Sequence, residues 1–143
     1  MNLPDLVSVL IVHPLQRKIL CIKRSKTDET FPDMWGLPGG GRNKNESVED
    51  ALKRELFEET GAKLDQVDQT PFIESTLTLK QHVFTINVYI GKITFQEVFE
   101  PHDSDIQTAQ WIAPELLFES VKQSHYPPDQ VFILEQKLKE LFT

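Results

Sequence analysis

Three glutamates, Glu55, Glu58 and Glu59, lie close together in the segment RELFEETG. A helix turns by about 100° per residue, so Glu55 and Glu59 fall on the same side as the apolar Val48 and Leu52, with Glu58 on the flank. Neighbouring carboxylates resist ionising together unless a cation lies between them, and oxygen-only ligands suit Mg²⁺ or Mn²⁺. The pattern favours a metal site. A solvated or salt-bridged face is the alternative, although such a face usually points away from the apolar stripe.

Three glycines, Gly39, Gly40 and Gly41, follow Pro38 shortly before this helix. Glycine brings bare backbone close to a ligand, with amides for phosphate oxygens and carbonyls for a metal. Proline and three glycines together predict an irregular segment that is neither helix nor strand. Arg54 can neutralise a neighbouring carboxylate and fix its direction, or form a surface ion pair.

The composition limits the classes of protein to consider. A chain of 143 residues with 39% hydrophobic residues predicts one soluble globular domain. A net charge of −7 argues against a nucleic-acid polymer as partner, but not against a small phosphorylated substrate. The apolar run at residues 6–12 is too short to span a membrane, and no signal peptide is evident. The single cysteine, Cys21, favours a reducing cytoplasm and a buried packing role.

The sequence predicts that strands and helices position these residues in an α/β domain, with a mixed sheet covered by helices. Residues 6–12 and 18–23 are predicted to form a hairpin. Ser47 is predicted to cap a helix that runs to Thr60 and that Gly61 ends. Further strands are predicted at residues 72–79, 82–95 and 108–112, and a short helical turn is predicted to begin at Pro114. A last helix is predicted from Pro127-Pro128-Asp129 to about Phe142. Its side toward the core consists of Val131, Leu134, Leu138 and Leu141.

Residues 40–62 resemble the Nudix box, G-x5-E-x7-R-E-U-x-E-E-x-G-U, in which U is aliphatic. Residues 35–39 also resemble the segment that precedes the box in many members. The smaller Ala62 at the last position affects packing and not chemistry. The resemblance implies one Nudix domain over residues 1–143, with the Nudix fold, an α/β/α sandwich containing a mixed β-sheet. The matching residues are Gly40, Glu46, Arg54, Glu55, Leu56, Glu58, Glu59 and Gly61.

The resemblance also implies an activity, which is hydrolysis of a nucleoside diphosphate linked to another moiety, with Mg²⁺ or Mn²⁺. The implied metal ligands are Glu55, Glu58 and Glu59, joined by the carbonyl of Gly39. Arg54 would orient a catalytic glutamate, and Glu46 would support the connection between loop and helix, with a more remote contribution to metal binding as a further role.

The general base and the substrate contacts stay open at this stage. Glu58 or Glu59 could accept the proton of the attacking water, or a later acidic loop could supply the base or a further ligand. Arg24 resembles the basic residue that many members aim at substrate phosphate, with a strand-end charge as the alternative, and Gly40 and Gly41 are the other substrate candidates. The acids of the later loop are Glu97, Glu100, Asp103 and Asp105.

Aromatic and histidine side chains give weaker signals. Phe31, Phe84 and Tyr126 could stack on a base, with Phe84 favoured as core. Trp111 is also favoured as core over base stacking. Three histidines, His82, His102 and His125, lack the spacing of metal ligands.

Three hypotheses on the function remain, and they differ in the substrate or in whether the chain is catalytic. A short chain with Tyr126-Pro127-Pro128 before its last helix is compatible with MutT-type enzymes, which convert a (d)NTP or oxidised nucleotide to a nucleoside monophosphate and pyrophosphate. One alternative is a nucleotide-sugar or ADP-ribose-type pyrophosphatase. Another is a catalytically silent nucleotide-binding or sensor domain, against which the intact box acids argue. A monomer and a homodimer are equally compatible with the sequence.

Overall fold

Strands and helices alternate along the chain in a computed structural model that describes residues 5–29, 31–79, 81–124 and 126–142. The three helices are α1 (Val48–Thr60), α2 (Pro114–Lys122) and α3 (Pro128–Leu141). The strands are β1 (Asp5–Leu10), β2 (Ile19–Arg24), β3 (Trp35–Gly36), β4 (Gly39–Gly41), β5 (Leu64–Val67), β6 (Ile73–Leu79), β7 (His82–Ile93) and β8 (Ile106–Ile112).

Two sheets form the centre of the molecule. In the first sheet, β1 pairs in parallel with β7 and antiparallel with β4, while the other edge of β7 carries β6 and β5. The second sheet is antiparallel, in the order β3-β2-β8. Helix α1 packs against β4, β1, β5 and β8, whereas α2 and α3 contact each other and pack on β3 and β6 respectively. This arrangement confirms the predicted α/β architecture with a mixed sheet.

The predicted hairpin of residues 6–12 and 18–23 holds only at its turn end, because β1 and β2 belong to different sheets. Both edges of β1 are occupied by β4 and β7, and both edges of β2 by β3 and β8. The residues next to the turn pair in an antiparallel way, with an isolated bridge between Val12 and Ile19. The local turn signal was therefore real, but pairing partners far along the chain displaced the hairpin.

The prediction of an irregular glycine segment is also wrong, because Gly39–Gly41 is strand β4. Gly39 lies opposite Ser8 of β1, and a Cβ on Gly39 would come within 2.2 Å of the Val7 carbonyl oxygen. The absence of a side chain thus permits a close pairing that a larger residue would prevent. Pro38 precedes this strand, and its carbonyl accepts a hydrogen bond from Val9 N at 3.0 Å.

Buried apolar side chains form two clusters. One packs beneath α1 and includes Leu52 and Leu56, and the other packs beneath α2 and α3 and includes Leu117 and Leu138. Burying each such leucine contributes about 1.5–3 kcal/mol. Cys21 is fully buried in the second cluster, which confirms its predicted packing role, and this burial raises the pKa of its thiol.

Two helical predictions differ in how closely they match. The stripe predicted for α3 points inward, with Val131 and Leu138 buried. The turn predicted at Pro114 is in fact a helix of nine residues, because Leu117, Phe118 and Val121 share a buried face. Within the described residues, no helix has both the length and the apolar character needed to cross a bilayer.

Candidate active site

Helix α1 is fixed at both ends by the residues predicted to cap it. Ser47 Oγ accepts a hydrogen bond from Asp50 N at 3.1 Å, and Gly61 adopts a left-handed conformation with φ of 79°. The Gly61 amide donates to the Phe57 carbonyl at 2.9 Å. A Cβ on Gly61 would approach the Glu100 carbonyl oxygen to 2.6 Å, so glycine also allows the later loop to pack against this helix end.

Glu59 is the most buried carboxylate of the site. Its side chain points inward with only 3% of the residue exposed, and its Oε1 accepts a hydrogen bond from the Gly39 amide at 2.7 Å. Burial raises the pKa of Glu59 to about 8, although the Gly39 hydrogen bond and the charge of Arg24 oppose the rise. The charges of Glu55 and Asp103 raise this pKa further. A cation beside Glu59 would therefore be strongly favourable.

Arg54 connects the segment before α1 to the acidic face. Its Nε and Nη2 donate to the two carboxylate oxygens of Glu46, both at 2.9 Å, while Nη1 donates to Glu55 Oε1 at 2.9 Å. Nη2 also donates to the Gly41 carbonyl at 3.0 Å. The hydrogen bond from Arg54, supported by the Asn43 amide, lowers the pKa of Glu46 to about 2. Arg54 thus positions Glu55 rather than forming an isolated surface pair.

Glu55 lies against the glycine strand. A Cβ on Gly40 would come within 2.6 Å of Glu55 Oε1, so the carboxylate occupies space that any side chain at position 40 would need. Burial raises the pKa of Glu55, whereas Arg54 lowers it. The predicted availability of the glycine amides for phosphate is wrong for Gly39, because its amide is bonded to Glu59.

The acidic loop after β7 folds over the C-terminal end of α1. The amides of Glu100 and His102 donate to the carbonyls of Thr60 and Glu58, at 2.9 and 2.8 Å. The His102 ring stacks on Phe57 with centroids 5.0 Å apart. Of the four loop acids, Asp103 is half-buried and its charge raises the pKa of Glu59. The other three, which are Glu97, Glu100 and Asp105, are exposed.

A cavity of about 380 Å³ adjoins the acidic helix. Its lining includes Gly39, Gly40 and Arg24, and Arg24 also lowers the pKa values of Glu55 and Glu59. The cavity therefore adjoins the acidic face of α1 through Gly39, which is bonded to Glu59, and Gly40, which lies against Glu55. It is largely apolar, and its aromatic residues are Phe31, Trp35, Phe84 and Tyr126.

The predicted aromatic candidates divide between this cavity and the core. Phe31 and Tyr126 stack on each other with centroids 5.9 Å apart, and both line the cavity together with Phe84. Trp111 is absent from the lining and packs against the core beside Phe99, with its indole N–H bonded to the Gln96 carbonyl at 2.8 Å. The core interpretation of Trp111 is thus confirmed, whereas Phe84 faces the cavity.

The carboxylates of α1 offer the donor chemistry of a hard cation. Glu55 and Glu59 are two acids with raised pKa values, and their oxygen atoms suit Mg²⁺ or Mn²⁺. Within the described ranges, no three His, Cys, Asp or Glu side chains already converge as a metal site. Arg54 holds Glu55 and the Gly39 amide holds Glu59, so a cation would compete with these contacts. His125 lies outside the described residues.

Two residues that line the cavity escaped the sequence interpretation. Trp35 was noted only as part of the segment that precedes the box, and Gln130 lies in the first turn of α3, where a polar residue ordinarily faces solvent. Neither position carries a local signal, because the cavity is assembled from segments far apart along the chain.

Comparisons with known proteins agree with this arrangement. The family model described as NUDIX domain matches residues 4–135. The m7GpppN-mRNA hydrolase NUDT17 of Xenopus laevis is 27% identical over 125 residues, which is 78% of this chain but only 42% of that protein. Nucleoside triphosphatase NudI of Salmonella paratyphi B is 31% identical over 106 residues, covering 69% of this chain and 74% of the relative. A solved NUDIX hydrolase from Nitrosomonas europaea superposes with a TM-score of 0.75 at 17% identity, covering 97% of this chain and 90% of that chain.

Proposed function

Because the chain belongs to the Nudix family and is a Nudix pyrophosphohydrolase, we propose that it hydrolyses a nucleoside triphosphate of the MutT-type substrate class to a nucleoside monophosphate and pyrophosphate. The observation that carries the proposal is that the aromatic cavity is lined by Arg24 and by Gly39 and Gly40, the glycines that lie against the carboxylates of the acidic helix. A nucleoside in the cavity would place its phosphates toward Glu55 and Glu59. The names of the relatives, a nucleoside triphosphatase and an mRNA cap hydrolase, support a nucleotide substrate.

Nudix hydrolases generally depend on a divalent metal ion, and we assign Mg²⁺, with Mn²⁺ as a substitute. The residues that would hold it are Glu55, Glu58, Glu59 and the Gly39 carbonyl. When bound, such an ion neutralises phosphate oxygens and lowers the pKa of an attacking water. Arg54 positions Glu55 through its hydrogen bond at 2.9 Å, and Arg24 supplies a further positive charge on the side of the cavity.

The chain must also take up a proton. The oxygen of the attacking water forms a bond to phosphorus, the bridging oxygen leaves with its electron pair, and the water proton passes to a carboxylate. Three carboxylates are candidates for this general base. They are Glu58, which has 46% of its side chain exposed, the buried Glu59, and Asp103 of the later loop. Single substitutions to glutamine or asparagine, each assayed at saturating Mg²⁺, separate them, because loss of the base removes the increase of kcat with rising pH, whereas loss of a metal ligand raises the Mg²⁺ concentration that the enzyme needs.

The single cysteine and the net charge bear on the cellular compartment and on the size of the substrate. We place it in the cytoplasm, because its one cysteine is a buried free thiol and a reducing compartment suits it. We propose a small nucleotide as its substrate, with neither a nucleic-acid polymer nor a membrane as partner, and the net charge of −7 would repel a nucleic-acid backbone. Both a monomer and a homodimer fit this activity.

A substrate panel scored by product identity tests the proposal. The panel contains nucleoside triphosphates, an oxidised guanine nucleotide, ADP-ribose and nucleotide sugars, each incubated with Mg²⁺ and with EDTA. We expect nucleoside monophosphate and pyrophosphate from a triphosphate, with Mg²⁺ only. Faster cleavage of ADP-ribose or a nucleotide sugar would transfer the assignment to that alternative class. Binding without turnover of any panel member would support the silent sensor alternative and contradict hydrolysis.

A further inference from the structure

The polar side chains that line the cavity are mostly committed to the protein itself. Ser75, Ser120 and Ser124 each bond a backbone group, and Asp28 Oδ1 accepts from a backbone amide at 2.7 Å. The other lining residues are aliphatic and aromatic, apart from Ser8, Arg24 and the glycines at the end next to the acidic helix. A ligand with many hydrogen-bonding groups would leave some of them buried and unpaired, which is unfavourable. The cavity therefore suits a flat ring with few polar atoms.

Gln130 is the exception among these lining residues. Its Nε2 donates to Thr76 Oγ1 over a long 3.3 Å, and its Oε1 is the buried side-chain oxygen without a hydrogen-bond partner among the residues that the structure describes. The terminal torsion of a glutamine is broad, so a single long hydrogen bond leaves the carboxamide able to turn toward a ligand. Its oxygen then gains the partner that it lacks.

The carboxamide and the apolar walls together favour one ring system. The carboxamide presents an acceptor beside a donor, which matches the amino group and adjacent ring nitrogen of adenine. Adenine is also the common base without a carbonyl, whereas guanine, cytosine and uracil each bring at least one carbonyl into the apolar walls. The aromatic residues Phe31, Trp35 and Tyr126 offer faces on which such a ring can stack.

We propose that this cavity takes the adenine ring of the substrate and that Gln130 is the residue that reads it. The inference deepens the proposed function and rests on it, because it specifies the base of the nucleotide whose phosphates would be cleaved at the acidic helix. Gln130 lines the cavity from α3, whereas the proposed metal-binding carboxylates belong to α1, so its contribution is to selectivity and not to chemistry.

The test uses nucleotides that differ only in their base. We expect kcat/KM for ATP to exceed the values for GTP, CTP and UTP by about tenfold or more. Gln130→Met, which keeps the length of the side chain and removes its polar atoms, should raise KM for ATP by about tenfold and change kcat by less than about threefold. Gln136→Met is the matched control, because Gln136 is an exposed residue of the same helix and should leave both values unchanged.

A second substitution reverses the hydrogen-bond pattern. Gln130→Glu offers two acceptors, which match the adjacent ring N–H and amino group of guanine, so the ratio of kcat/KM for ATP to that for GTP should fall by at least about tenfold. A merely structural role of Gln130 would lower both rates together and leave this ratio unchanged. Thermal melting of each variant confirms that it is folded.

Binding of AMP and GMP, measured by calorimetry with Mg²⁺ present, separates the two proposals because neither nucleotide contains an anhydride. A preference for AMP that Gln130→Glu reverses supports the base assignment, even where ATP is not hydrolysed and the proposed function fails. Hydrolysis of all four triphosphates with equal kcat/KM supports the proposed function and overturns the base assignment. Equal binding of AMP and GMP, or ratios that neither Gln130 variant changes, likewise overturns it.

Discussion

Glu59 combines two properties that are costly in a protein interior unless something offsets them. It is a carboxylate with 3% exposure, and the hydrogen bond that it accepts from the Gly39 amide at 2.7 Å does not prevent burial from raising its pKa to about 8. An ordinary core position would hold an apolar residue there. The proposed cation would account for an acid in this place, because it would stabilise the ionised form that burial disfavours.

The raised pKa predicts how stability changes with pH in the metal-free protein. Between the ordinary pKa of 4.5 and about 8, the folded state binds a proton that the unfolded state has released, so the free energy of unfolding falls as pH rises through this range. Glu59→Gln removes this loss. We expect its melting temperature in EDTA to exceed that of the wild type by about 5–10 °C at pH 8.5, and the difference to vanish near pH 4.5.

Glu49→Gln is the control for this comparison, because Glu49 is an exposed residue of the same helix. Its melting temperature should follow that of the wild type at both pH values. A Glu59→Gln protein that melts below the wild type at pH 8.5 would show that the buried carboxylate is not strained in the absence of metal.

The elements show where sequence reasoning succeeds and where it stops. Helix α1 was predicted to within its caps, because Ser47, Gly61 and the apolar stripe are local signals that tertiary packing did not overrule. The glycine strand was not predicted, because its reason lies outside its own sequence, in the approach of β1 and of Glu55. Local preference described the residues correctly, but it could not indicate the neighbours for which three glycines make room.

Single alanine substitutions along β4 should have different consequences at each position. Gly39→Ala brings a methyl within 2.2 Å of the Val7 carbonyl, and since backbone cannot yield easily, we expect the melting temperature to fall by about 5 °C or more. Gly40→Ala meets the carboxylate of Glu55 at 2.6 Å, and that side chain can move. We therefore expect a smaller loss of stability and a fall in kcat/KM of about tenfold or more.

Gly41→Ala completes this series as the control for stability, because no heavy atom lies within 4 Å of the added methyl. Thermal melting and steady-state kinetics of the three variants give the comparison. If all three alanines lowered the melting temperature equally, general strand flexibility would explain the glycines better than the two close approaches do.

At the scale of the whole molecule, the site exists only because distant segments meet. The cavity is lined by residues of the second strand, the glycine segment, the β6 and β7 strands, and the last two helices. The acids of α1 could be predicted, because the box that they resemble is contiguous. Arg24 and the aromatic candidates Phe31 and Tyr126 were identified individually, but their common cavity was not, since it depends on how two sheets and three helices pack.

The assembled molecule therefore has an aromatic cavity beside the acidic face of α1. The central claim is that this face holds the cation used to cleave a nucleotide. The most direct measurement is the steady-state rate of nucleoside triphosphate hydrolysis by the wild type, Glu59→Gln and Glu49→Gln, each titrated with Mg²⁺. We predict turnover that requires Mg²⁺, a loss of at least about 100-fold in Glu59→Gln, and wild-type rates in Glu49→Gln. Turnover that persists in EDTA, or a Glu59→Gln rate within about threefold of the wild type, would contradict the account.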